Sequence, residues 1–119
     1  FLSTSTDLVK AGLSVLNDNY ISQEARIILF TPPNNNGEAP CGYGFGWAVC
    51  EYPVLIGSDE PITTYSHGGS SEGGVSFLMV IPKEGVVIAI HSNTTLSGGS
   101  NSMRLIVKEI ASMILVSKR

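Results

Sequence analysis

His67 is preceded by Tyr65 and Ser66 and followed by Gly68, Gly69 and Ser70. An imidazole gains or loses a proton near neutral pH, and glycines let a neighbouring backbone or ligand come close. Ile62 to His67 reads as a short strand, with Thr63, Tyr65 and His67 on one face and Ile62, Thr64 and Ser66 on the other. Gly68, Gly69, Gly73 and Gly74 are expected to form a glycine-rich turn. Val75 to Ile81 is an apolar run of strand length, Pro82 to Gly85 a turn, and Val86 to Ile90 a second apolar strand. The imidazole is thus expected on a sheet beside backbone that carries no side chains. A substrate cleft at a sheet edge is built this way.

Each chemical candidate has a plainer reading. His67 could be only a polar residue at a strand end. His91 continues the alternation of Val87 and Ala89, and reads as a satisfied core or strand-end histidine rather than a catalytic one. Two histidines without ligand spacing argue against a metal site, and no cofactor is expected. The loop from Gly68 to Gly74 has the glycines of a phosphate cradle. It lacks Gly-Lys-Ser/Thr and runs into a strand where such a loop runs into a helix. Tyr43 and Trp47 are read as core. Asn93-Thr94-Thr95 is a glycosylation sequon, common as a triplet and meaningful only in a secreted protein.

The chain has 119 residues, enough for one domain at most. Hydrophobic residues make up 43% and charged ones 14%, which is apolar for a small domain standing alone. Part of its surface is therefore expected to be covered by further chain or a partner. With net charge −3 and only seven basic residues there is no patch to neutralise phosphates, so nucleic acid is not an expected partner. Cys41 and Cys50, nine apart and both placed near one strand, are read as two buried free thiols rather than a disulfide. The most apolar terminal stretch, Leu105 to Val116, is broken by Lys108, Glu109 and Ser112 and is too short to span a bilayer. The chain starts at Phe1 without an initiator methionine, so its natural start is expected to lie upstream and its compartment is unassigned.

Thr4-Ser5-Thr6-Asp7 fits a helix start, with a hydroxyl for the free amides and a carboxylate in the first turn. Leu8, Gly12, Val15 and Leu16 then recur at helical spacing to about Asn17. Ser22 can cap a second helix through Leu29, closed by Thr31-Pro32-Pro33. Asn34 to Gly37 is a loop. From Gly42 to Cys50 bulky Tyr43, Phe45, Trp47 and Val49 alternate with small residues, predicting one strand with a bare face. Glu51 to Pro61 connects, and Leu96 to Asn101 is a Gly/Ser loop. Ser102 to Val116 is an amphipathic helix with Met103, Ile106, Val107, Ile110, Met113 and Ile114 inward and Arg104 and Lys108 opposite. The expected architecture is α+β: an antiparallel sheet of about four strands with the terminal helix packed on it.

Tyr43-Gly44-Phe45-Gly46-Trp47, then His67-Gly68-Gly69, then the Pro82–Gly85 hairpin and Asn93, resemble the C-terminal third of the serine β-lactamase-like hydrolases. That family takes in class C β-lactamases, low-molecular-weight penicillin-binding proteins, related esterases and D-aminopeptidases. Phe1-Leu2-Ser3-Thr4 and Asp7-Leu8-Val9-Lys10 match the preceding segment, and the animal mitochondrial branch is the nearest in look. The family works with three motifs. Ser-x-x-Lys occurs nowhere in the chain, and Tyr20, Tyr43, Tyr52 and Tyr65 are followed two positions on by Ser22, Phe45, Val54 and His67, so Tyr-x-Asn is missing too. Only the third motif is present, with Gly68 where many relatives carry a threonine.

The resemblance therefore implies that residues 1–119 are the C-terminal portion of a single domain whose nucleophile-bearing part is its partner. In the complete serine hydrolase an acyl-enzyme would form on an amide or ester, a small peptide-like or ester substrate, and be hydrolysed. This chain would supply the wall of the cleft. The N–H of Ser70 maps to an oxyanion-hole donor, Gly68 and Gly69 keep the strand edge open, and His67 takes the place of the family's cationic residue, where it would orient a substrate carboxylate or polarise the proton network around the missing tyrosine. The alternatives are a non-catalytic module on the same fold, with homo-oligomers possible, and an independent small α+β interaction domain.

Overall fold

A computed structural model describes residues 3–33, 41–52 and 60–118. Helix α1 spans Ser5–Val15. The Thr4 hydroxyl accepts the Asp7 amide at 3.1 Å, an N-cap of the kind that contributes about 1 kcal/mol. Helix α2 spans Gln23–Phe30, capped by Ser22 on the Ala25 amide, and ends where Thr31 turns extended before Pro32. Both starts and the proline stop agree with the sequence reading. The loop expected at Asn34 to Gly37 and most of the Glu51–Pro61 connection lie outside the described residues.

Strands β1 (Cys41–Tyr43), β2 (Ala48–Tyr52), β3 (Ile62–Ser71), β4 (Gly74–Ile81) and β5 (Val86–Ser92) form one antiparallel sheet in chain order. Helix α3, Ser100–Ser117, closes the described fold. The fold is α+β, with one strand more than expected. The extra strand arises because Gly42 to Cys50 is not continuous. Gly46 adopts a left-handed backbone, φ +78°, and the Gly44 N–H donates to the Trp47 carbonyl at 2.8 Å, so the chain doubles back. The glycines read as a bare strand face are a turn.

That reversal corrects the cysteine reading. Cys41 stands directly opposite Cys50 across β1 and β2, with Cα atoms 4.0 Å apart, and the two form a disulfide. A single strand could not have brought them together; a hairpin does so by register.

Helices cover both faces of the sheet. On one face α1 lies close against β4 and β5: a methyl placed at Gly12 would come within 2.6 Å of Val87 Cγ1 and 3.3 Å of Val80 Cγ2. On the other, Met103, Val107, Ala111 and Leu115 of α3 pack on Ile62, Val75, Phe77, Met79, Ile81, Val86 and Ile88. The inward stripe of α3 thus differs from the expected one. Ile106 and Met113 are exposed, and Ala111 and Ser112 are buried in their stead. Those two isoleucine and methionine side chains lie at the margin of an arc that the sheet fills only through the 103, 107, 111, 115 row. Tyr43 is also exposed rather than core, and Trp47 is half-buried against Phe30. Among the described residues no helix is long and apolar enough to cross a membrane.

Phe30 stacks flat on Tyr65, with centroids 3.8 Å apart. Burial pushes the Tyr65 hydroxyl up, and the Arg26 charge pulls back part of that shift. A tyrosine in the unfolded chain therefore ionises first as pH rises through about 10, and the folded state loses stability there. Tyr65→Phe should flatten the alkaline limb of a stability–pH curve measured by urea melts, leaving neutral pH little changed.

Candidate functional site

Strand β3 outruns its neighbour. Its pairing with β2 ends at Ala48 and Ser66, while its pairing with β4 continues to Ser71 and Gly74. His67 to Ser71 consequently have strand geometry with no β2 partner beside them. The glycine-rich turn expected at Gly68 and Gly69 is in fact this free stretch of strand, and the reversal falls at Glu72 and Gly73.

His67 is exposed on that stretch and its ring is held from one side. Nδ1 lies 2.7 Å from the Gly46 carbonyl oxygen and 3.2 Å from the Tyr43 hydroxyl. A carbonyl oxygen only accepts, so Nδ1 carries the proton and donates it. The neutral ring then has its lone pair on Nε2, as the β1–β2 hairpin dictates. The left-handed turn at Gly46 is what aims that carbonyl at the imidazole.

Beside the ring is a depression of about 260 Å³ lined by Tyr43, His67, Asn101 and Arg104 together with Phe77 and the disulfide pair. Arg104 projects into it from the first turns of α3, and its Nε is buried with no hydrogen-bond partner among the described residues. Arg104 and Asn101 escaped the sequence reading, which assigned Arg104 to the outer side of its helix. Their three-residue spacing, one turn after the Gly/Ser loop, was the available signal. Lys108, one turn further, sits instead over the Tyr52 ring at 4.2 Å.

The expected site residues divide. His67 and Gly68 line the depression with Arg104, while Gly69 and Ser70 line a second, shallow one of about 440 Å³ with Ser76, His91 and Ser92. His91 lies outside the His67 cluster; its Nδ1 is 2.7 Å from the Ser5 hydroxyl, joining β5 to the start of α1. Gly68 has a packing reason of its own. A methyl there would stand 2.7 Å from Ser100 Cβ and 3.0 Å from Phe77 Cδ2. Overpacking of this kind costs roughly 1–3 kcal/mol, so Gly68→Ala should lower the melting temperature. Ser100→Gly, which removes the nearer obstacle, should restore part of the loss; calorimetry on the single and double variants checks this.

The site is thus an α+β sheet whose longest strand carries His67-Gly68-Gly69 along a stretch that β2 leaves unpaired. The Beta-lactamase family profile matches residues 1–111, and the chain belongs to that family. Serine beta-lactamase-like protein LACTB, mitochondrial, of Homo sapiens and that of Mus musculus are each 30% identical to it over 88% of this chain. The Bos taurus protein of the same name is 31% identical over the same share. The chain spans about a quarter of the length of these relatives, 25%, 25% and 24% in turn.

Proposed function

We propose that this chain is the substrate-side wall of a serine acyl hydrolase, the C-terminal portion of a domain whose nucleophile lies in another part of the protein. The observation that carries the reading is the pairing of an oriented imidazole and a part-buried guanidinium in one depression, beside a strand edge that β2 leaves open. Family membership and the absence of Ser-x-x-Lys from residues 1–119 both support it.

An extended, peptide-like substrate can lie along His67 to Ser71 as an added strand, its backbone taking the amides and carbonyls β2 leaves over. A serine from the remainder of the domain attacks the acyl carbonyl, and the carbonyl oxygen takes up the negative charge. The Ser70 N–H is one donor for that oxygen, a contact typically worth about 10²–10³ in rate. Arg104, always charged, and the Asn101 amide hold a substrate carboxylate. His67 is then released from the role of fixed cation: with Nδ1 committed to Gly46, its Nε2 accepts or returns a proton in the network around the reacting groups. Gly68 gives room for Ser100 as well as for substrate.

The test separates the wall from the nucleophile. The 119-residue chain alone should take no adduct from fluorophosphonate or penicillin probes and should not turn over nitrophenyl esters or D-alanyl peptides. The complete protein should be acylated on a serine outside this chain. A stoichiometric adduct on any serine within it, Ser70 included, would sink the reading, and a complete protein without any adduct would favour the non-catalytic module.

A further inference from the structure

Two features of the molecule lie outside the acyl-transfer reading. One is the disulfide that joins Cys41 to Cys50 at the base of the β1–β2 hairpin. The other is Asn93-Thr94-Thr95, the one Asn-x-Ser/Thr triplet in the chain, with no proline at its middle position or after it. We propose that Asn93 is an N-glycosylation site and that the chain matures in an oxidising, secretory compartment.

The geometry suits the modification. The triplet follows the last residue of β5 directly, and Asn93, Thr94 and Thr95 are all exposed. Among the described residues no hydrogen bond engages the Asn93 carboxamide, which stands free for transfer. The bend there is held by its neighbours, through Thr94 N–H to the Ser92 hydroxyl at 3.3 Å and Gly73 N–H to the Thr95 hydroxyl at 3.1 Å. A glycan on Asn93 would thus project from the sheet end that carries the Glu72-Gly73 turn, displacing nothing packed.

The disulfide is the independent support. Disulfides persist in secreted and lumenal proteins and are reduced in the cytosol, so an oxidised pair and a usable sequon point to the same history. In the transfer, Asn93 Nδ2 attacks the anomeric carbon of a lipid-diphosphate-linked oligosaccharide. One N–C bond forms, the sugar–phosphate bond breaks, and the amide proton leaves with the lipid diphosphate. No electron changes hands. The proposal stands apart from the acyl-transfer reading, since neither His67 nor Arg104 takes part.

The experiment uses the complete protein carrying this chain, isolated from its own host under thiol-blocking conditions. Peptide N-glycosidase F should produce a downward mobility shift and leave an aspartate at position 93, read on the Asn93 peptide by mass spectrometry. Asn93→Gln and Thr95→Ala should reduce the shift by one glycan, and Thr94→Ala and Thr95→Ser should keep it whole. Cys41 and Cys50 should resist alkylation until a reductant is added. An unshifted protein with an unmodified Asn93 peptide overturns the site, the outcome expected of a protein imported into mitochondria. Freely alkylated cysteines overturn the compartment argument.

Discussion

Replacing Arg104 by alanine in the complete protein should lower kcat/KM for carboxylate-bearing substrates roughly 10- to 100-fold. Hydrogen bonds to charged groups contribute about 1.5–3 kcal/mol, and 1.4 kcal/mol is tenfold. The guanidinium reaches the His67 depression from α3, and its buried Nε has no partner among the described residues. A substrate carboxylate would supply what the fold leaves out. Neutral esters should lose little, so the ratio of the two kcat/KM values is the readout. Arg104→Lys should recover only part, because an ammonium keeps the charge without the planar fork. His67→Ala, by contrast, should depress both substrate classes and act mainly on kcat, consistent with a proton-handling ring. Equal losses for charged and neutral substrates in Arg104→Ala would remove the anion-binding role.

Met79→Ala should be the most damaging single change to stability. Met79 is fully buried, 0% exposed, between the middle of the sheet and α3, in the cluster with Met103, Val107 and Ala111. Truncations of this kind cost about 2–5 kcal/mol through lost transfer energy and the cavity left behind. Small domains hold only about 5–15 kcal/mol in all, so a large share of the stability would go. Chemical denaturation should show the midpoint falling sharply, and Met79→Leu, which nearly conserves volume, should stay close to the parent. A small loss in Met79→Ala would mean that α3 can settle into the space.

Much of this was legible in the residues. Thr4 and Ser22 announced their helices because a cap needs one hydroxyl at one position, and Pro32 announced a stop for an equally local reason. The strands around His67 were legible because the apolar runs are short and punctuated. The β1–β2 hairpin was not. Gly44 and Gly46 satisfy both a strand with a small face and a tight turn, and only the partner strand decides between them. Missing that turn hid the disulfide, the fifth strand, and the carbonyl that orients His67. Arg104 was hidden differently: helical periodicity gives its angle around α3, yet its neighbours His67 and Gly68 come from β3, nearly forty residues earlier in the chain.

The order of the strands has a consequence for how the molecule assembles. Each strand pairs only with its neighbours in sequence, so the sheet can zip from short loops with little entropy lost per closure. Helix α1 is the exception. It precedes the whole sheet in sequence, but it docks on β4 and β5, the last two strands of that sheet. Until those strands exist Gly12 has nothing to press against, and an isolated helix of 11 residues is marginal in water. Folding should therefore begin in the β3–β4–β5 meander, with α1 settling late: substitutions at Val15 would speed unfolding, while those at Phe77 or Met79 would slow folding.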